Sequence, residues 1–229
     1  MSTGSDSWVT EWLTPGRYNK YLKAAGQDPD RALRLYEWNA RVSSALLHDL
    51  GHLEVGLRNA YDRQLLAHPL AAGQDWITRA IYDQLWAPHL VADSNGSMQD
   101  KNATPRGAIK TARKYAGYTD GGTVNRGKVI AEIMFGFWTY LTDSLHEKTL
   151  WIPSLRFAYT AGTDRAQLHD ALSSLRDARN RLAHNESIFD QQPENLRRRI
   201  IFVARSLSTP LSQHIATNSA VPGLLAAKP

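Results

Sequence analysis

The chain has 229 residues, enough to bury a sizeable core, and no cysteine. Disulfides, thiolate nucleophiles and cysteine-based zinc sites are thereby excluded, and the composition is comfortable in a reducing cytoplasm, the expected location. Twenty-seven basic residues against 22 acidic give a formal charge of +5, a weak pull toward an anionic partner. No apolar run is long enough to span a bilayer, and the opening MSTGSDSWVTEW lacks the basic flank and apolar stretch of a secretory signal.

Helix punctuation is frequent and strand signals are scarce. Thr14-Pro15 reads as an N-cap and first helical position, with Gly26 as the stop. Asp28-Pro29 opens a pattern that runs to about His68-Pro69, long enough to expect a kink near Gly51 or Gly56. A helix is expected around Trp76 to Trp86, then a polar loop, VADSNGSMQDKN. Thr104-Pro105 begins the next helix, which Gly117 ends. KVIAEIMFGFWTYLTDSL is the most apolar segment and reads as one buried helix, with Pro153 marking a break or a new start. Its FGFW stretch is expected in the interior, Gly136 permitting close helix packing. Thr163 is the expected cap of the following helix, and Pro193 opens the last, through LRRRIIFVARSL. In that last helix Ile200, Ile201, Val203, Ala204 and Leu207 should face the core. The pattern predicts an all-α bundle forming one domain over residues 1–217, with a flexible tail over 218–229.

Charge concentrates in two places. Lys101, Arg106, Lys110, Arg113, Lys114, Arg126 and Lys128 stand against one acid, Asp120. Tyr115 and Tyr118 lie among them, a mixture suited to RNA, although a solvated helix face would look the same. Arg197, Arg198, Arg199 and Arg205 fringe the last helix, where a solvated face is the plainer reading.

The stretch LRDARNRLAHNESIF breaks its own pattern. An apolar seam in helical register takes Leu168, Leu172, Leu175 and Leu182 but meets arginine at 179. A buried, unpaired guanidinium is expensive, so Arg179 should face an anion or a wet interface. Asn180 adds an amide, and His184 follows after four intervening residues counted from Arg179. A spacing of arginine, four to six residues, then histidine is weak by itself, because Arg63 with His68 and Arg41 with His48 fit it too. His68, before Pro69, reads as a histidine meeting the last helical carbonyls, and His48 with His52 as ordinary side chains rather than metal ligands. Five residues of ideal helix rotate by about 140°, so Arg179 and His184 do not share a face. To reach one phosphate the helix must distort or end near Ala183, or a second subunit must contribute.

RNRLAHNE, from Arg179 to Glu186, resembles the signature of the HEPN superfamily, helical domains whose enzymes carry arginine, a polar residue, three or more others, then histidine. LGHLEVGLRNAYD, from Leu50, and FGFWTYL, from Phe135, resemble segments of the Abi-like group of prokaryotic abortive-infection proteins within it. The resemblance spans about Tyr36 to Leu207. It implies a HEPN-type bundle with additional N-terminal helices, and a homodimeric, metal-independent endoribonuclease with no cofactor. Arg179, Asn180 and His184 are then the catalytic residues. The implied partners are RNA, a second copy of the chain, and an antitoxin protein or inhibitory small RNA. Where some HEPN toxins have a modifiable tyrosine this chain has Glu186, so control by that route is not expected.

Glu54 and Arg58 lie four apart in the stabilising order for a helical ion pair, the simplest expectation for them. With Asn59 and Glu186 they are otherwise candidates to support the catalytic helix or line an RNA cleft. A non-catalytic module that binds RNA or nucleotide, or half of a toxin–antitoxin pair, would fit the same bulk features.

Overall fold

The computed structural model describes residues 7 to 229; the first six, part of the opening read for a signal, lie outside the described residues. The chain enters through α1 (Ser7–Leu13) and α2 (Pro15–Ala24). Thr14 between them does not cap α2: its φ is 60° and its side chain makes no cap hydrogen bond. Pro15 supplies the pre-set first turn, and Gly26, at φ 69°, takes the left-handed conformation that ends the helix.

The next helix, α3 (Pro29–Leu66), organises everything else. The Asp28 carboxylate accepts from the Arg31 amide at 3.0 Å, and Pro29 fixes the first turn. Leu35, Val42, Leu46, Leu50, Leu53, Leu57, Tyr61 and Leu65 recur at helical spacing and are all buried. Burying each such side chain contributes about 1.5–3 kcal/mol, so a helix of this length is held by its apolar stripe. It continues uninterrupted through Gly51 and Gly56, where a kink was expected. Gly56 has a packing reason instead, since a Cβ there would fall 2.6 Å from the Leu211 side chain.

Beyond α3, Trp76 lies in a turn that precedes the short α4 (Arg79–Leu85). The stretch expected as a polar loop is a small antiparallel hairpin, β1 (Leu90–Ala92) with β2 (Met98–Asp100), Val91 opposite Gln99. Asp93 makes its turn: the carboxylate accepts from the amides of Asn95 and Ser97 and from the Gln99 side chain. Helix α5 (Ala103–Ala116) then runs to Gly117, left-handed as expected at that stop.

The apolar segment expected as one helix is two, α6 (Arg126–Glu132) and α7 (Phe135–Tyr140). Ile133 and Met134 between them are extended, which buries Ile133 and leaves Met134 exposed. A run apolar on every side carries no period to locate such a break. Its aromatics do fill the interior. Phe137 and Trp138 pack with Trp76, and Phe137 also meets Trp86. Gly136 is less constrained than expected, because a Cβ there would make only an ordinary contact with Arg176.

A π-helical turn (Glu147–Trp151) and a 3-10 turn (Leu155–Ala158), with Pro153 between, lead to α8 (Arg165–Ala183). Its cap is Asp164, whose carboxylate accepts from the Gln167 amide at 2.7 Å; the Thr163 hydroxyl donates to the Thr160 carbonyl instead. Helix α9 (Pro193–Leu207) starts at its proline and buries Ile200, Val203 and Ala204, with Ile201 and Leu207 packed at the margin. Two more helices follow, α10 (Thr209–Asn218) and α11 (Val221–Ala226). The expected loose tail is thus largely helical: Val221 is buried, and the Trp38 indole donates to the Leu224 carbonyl at 2.6 Å. The fold is all-α apart from the hairpin, with α2, α8, α9, α10 and α11 packed against α3.

Candidate active site

Helix α8 buries Leu168, Ala171, Leu172, Leu175, Ala178 and Leu182. Ala178, not Arg179, takes the core position in the last turns, and Arg179 lies at the half-buried edge of the stripe. The helix ends at Ala183, one of the arrangements expected if both motif residues are to reach one phosphate. The termination is built from the motif's own residues. Asn185 is left-handed at φ 50°, its amide donates to the Leu182 carbonyl at 3.1 Å, and the Glu186 amide donates to the Arg181 carbonyl at 3.0 Å. Those two bonds are a Schellman cap, with asparagine in the place usually taken by glycine. His184 is therefore the C-cap residue, and its ring is exposed.

Two side chains outside the motif hold this terminus. Asn39 of α3, 1 % exposed, donates from Nδ2 to the Glu186 carbonyl at 3.1 Å. Its Oδ1 accepts the Ile188 amide at 2.8 Å, so one buried amide pairs with the backbone on both sides of Ser187. Arg17 of α2 donates to the His184 carbonyl at 3.4 Å. Neither residue was a sequence candidate. The signal for Asn39 was present: it interrupts the buried stripe of α3, just as Arg179 seemed to interrupt that of α8.

Beside the turn, α3 faces α8 across a pair of guanidiniums. Glu54 is half-buried and its pKa is raised, first by burial; Arg179 and then Arg58 pull it back down. The simple Glu54–Arg58 ion pair is not formed. Among the described residues neither arginine makes a close salt bridge or hydrogen bond, and Arg179 exerts the larger field on the carboxylate. Glu54, Arg58 and Arg179 are thus brought together, with two positive groups around one carboxylate that burial disfavours as an anion. Asn59, Asn180, Glu186 and His184 are exposed, and the Asn180 carbonyl accepts the His184 amide at 3.2 Å. Within one chain, Arg179 leans toward α3 while His184 stands at the helix end next to α2.

The basic segment has a different fate. Arg106 donates to the Trp86 carbonyl at 2.5 Å and pairs with Asp100. Arg113 donates to the Ile77 carbonyl at 2.7 Å, pairs with Asp120 at 3.0 Å and lies over the Tyr82 and Tyr118 rings. Arg126 forms a double fork, to Asp62 and to Asp75, both at 2.6 Å, which raises its pKa further. Each of these three candidates for RNA has fixed acceptors within the fold, and each braces it. Lys101, Lys110, Lys114 and Lys128 remain exposed, as does Tyr115.

The other histidines of matching spacing are structural or peripheral. His68 is buried, its Nδ1 accepting the Leu70 amide and its Nε2 donating to the Thr149 carbonyl at 2.8 Å. Its partners fix the neutral ring, and they are not the last carbonyls of its own helix. His48, His52 and His214 meet edge to face. Among the described residues no group of three or more histidines and carboxylates is arranged to hold a metal ion, and no helix is long and apolar enough to cross a membrane.

A family model described as Abi-like protein matches residues 10–190, which takes in α1 through the motif. Neither the curated proteins nor the solved structures give a match.

Proposed function

Because the chain belongs to the Abi-like protein family, we propose that it serves in abortive infection or as a related toxin, cutting RNA as a homodimeric, metal-independent endoribonuclease of HEPN type. One observation carries this reading. The Schellman turn holds an exposed imidazole, His184, at the end of the helix bearing Arg179, whose guanidinium has no close counterion among the described residues.

Strand scission needs a base for the ribose 2′-hydroxyl, stabilisation of the pentacoordinate phosphorane, and an acid for the departing 5′-oxygen. The 2′-oxygen bonds to phosphorus as the bond to the 5′-oxygen breaks, leaving a 2′,3′-cyclic phosphate and a 5′-hydroxyl. His184 suits either proton transfer. Arg179, reinforced by Arg58, offers charge that strengthens its hold as the phosphorane forms. Glu54 positions Arg179 through its field, and Asn180 orients the phosphate or the imidazole. One imidazole cannot give and take a proton at once, so two copies related by a two-fold axis supply the pair.

The test is incubation of purified protein with RNA in excess chelator, with end mapping of the products. Cyclic-phosphate ends that disappear in His184→Ala and persist with chelator support the reading. Intact RNA, or full loss of cleavage in chelator with the fold retained, would overturn it. Light scattering tests the dimer.

A further inference from the structure

Next to the motif's helix end lies a cleft of about 220 Å³, walled by Gly16, Arg17, Lys20, Tyr21, Glu186 and Ser187. We infer that this cleft is a subsite for the RNA strand, taking the nucleotide that flanks the scissile linkage; the inference rests on the ribonuclease reading above.

Three observations converge there. Arg17 and Lys20, one helical turn apart near the start of α2, put two positive groups on one wall, both exposed. Against the single carboxylate of Glu186, the wall carries a net positive charge suited to a phosphate. Tyr21 is 1 % exposed, and its hydroxyl has no hydrogen-bond partner among the described residues. A buried hydroxyl left unpaired in the free protein is a standing penalty; it is closed off as the cleft stands, and a ligand oxygen would relieve it as the wall opens on binding. Burial pushes that hydroxyl's pKa up to about 12, with Tyr36 and Asp190 adding to the rise and Arg17 opposing it, so it stays a proton donor.

Position makes the occupant a strand rather than a free anion. Arg17 reaches the His184 backbone carbonyl, and Glu186 of the same turn lines the cleft, so the cleft adjoins the backbone turn that carries His184. A chain threaded past His184 would pass over it. Glu186 and Ser187 line the same cleft, and their side-chain oxygens can bond to ribose hydroxyls while Arg17 and Lys20 take the phosphate. The presence of the 2′-hydroxyl is then read twice, once chemically at the cut and once by recognition at its neighbour.

The experiment is fluorescence anisotropy of a labelled single-stranded oligoribonucleotide bound to His184→Ala protein at several salt concentrations. Added to that background, Arg17→Ala with Lys20→Ala should weaken binding about 10-fold and lower the slope of log affinity against log salt by about 1–2. Lys23→Ala, an exposed neighbour on α2 that does not line the cleft, should match the parent. Tyr21→Phe separates recognition from folding: it should raise the Tm of the free protein while weakening RNA binding about 3-fold. A deoxy version of the oligonucleotide should bind less tightly, and that difference should shrink in Glu186→Gln.

Unchanged affinity in both the double variant and Tyr21→Phe would overturn the subsite, and so would binding of inorganic phosphate with no binding of the oligonucleotide. His184-dependent cleavage with unchanged affinities removes the cleft and leaves the active site standing. Cleavage that survives His184→Ala removes the active-site reading, while weakened binding in the cleft variants still supports the strand subsite.

Discussion

Between Lys101 and Lys128 the arginines close on partners within the fold, whereas Arg179 on α8 and Arg58 on α3 make no close bond among the described residues. Arg106, Arg113 and Arg126 each close on a carboxylate and a fixed acceptor, or on two carboxylates. Arg179 and Arg58 share the field of one half-buried Glu54 and close on nothing among the described residues. The denser stretch of positive charge is therefore the one engaged within the fold, and the sparser is the one proposed to carry the chemistry. What separates them is whether the fold already supplies the acceptors, which a count of charges along the chain does not reveal.

The largest expected effect breaks this comparison at its functional end. His184→Ala should lower cleavage by about 10²–10⁴-fold, and the exposure of its ring means that thermal unfolding should hardly move. Arg179→Ala should behave alike in cleavage. A Tm collapse in either variant would place the motif among the structural groups, and the contrast between the two regions would vanish.

Arg126→Ala is the mirror image. It strands Asp62 and Asp75 beside the end of α3, and the fork is only 31 % exposed on the arginine side. A loss of about 2–3 kcal/mol is expected, the low part of the range for a buried pair because solvent screens some of it. For a chain of this size that is a Tm fall of about 5–10 °C. RNA affinity, measured below the transition, should stay within about 2-fold, since a side chain locked in two carboxylates has no free donor face. A large affinity loss in the still-folded variant would return this segment to the RNA surface.

Asn39→Ala should fall between these. It leaves the Glu186 carbonyl and the Ile188 amide unpaired, at about 1–3 kcal/mol, and it loosens the turn that carries His184. Cleavage should drop with stability, mostly through kcat. Asn39→Asp should do no better, because it keeps the acceptor for Ile188 but turns a negative oxygen on the Glu186 carbonyl.

How far the chain discloses this design depends on the kind of signal. The long α3 was legible because its apolar residues keep one period for 38 residues, and α8 and α9 for the same reason. The break at Ile133 and Met134 was not, since apolar residues on every side leave no register to interrupt. The hairpin after Val91 hid in polar composition, its turn made by one aspartate. At the site, Arg179 was visible as a lapse in a leucine seam, although Ala178 fills the core position that it seemed to occupy. Asn39 shows in the sequence as a polar lapse in the stripe of α3, but its partners, like that of Arg17, are backbone groups far along the chain that no local spacing identifies.

The smallest effect probes the balance at Glu54. A carboxylate whose pKa is raised in the fold binds its proton more tightly there than in the unfolded chain. Its penalty is absent below the unfolded value, grows as pH rises through the window up to the folded value, and is fully present at neutral pH. Glu54→Gln should therefore stabilise slightly at pH 7, by under about 2 °C in Tm once solvent screening is allowed for, and flatten the stability profile across the window between the unfolded and folded values. Its effect on cleavage should run the other way, because Arg179 loses the field that positions it. Stability and activity moving together in this variant would mean that Glu54 serves the helix packing alone. Opposite movements would mark the carboxylate as a group the fold tolerates for the sake of the arginine beside it.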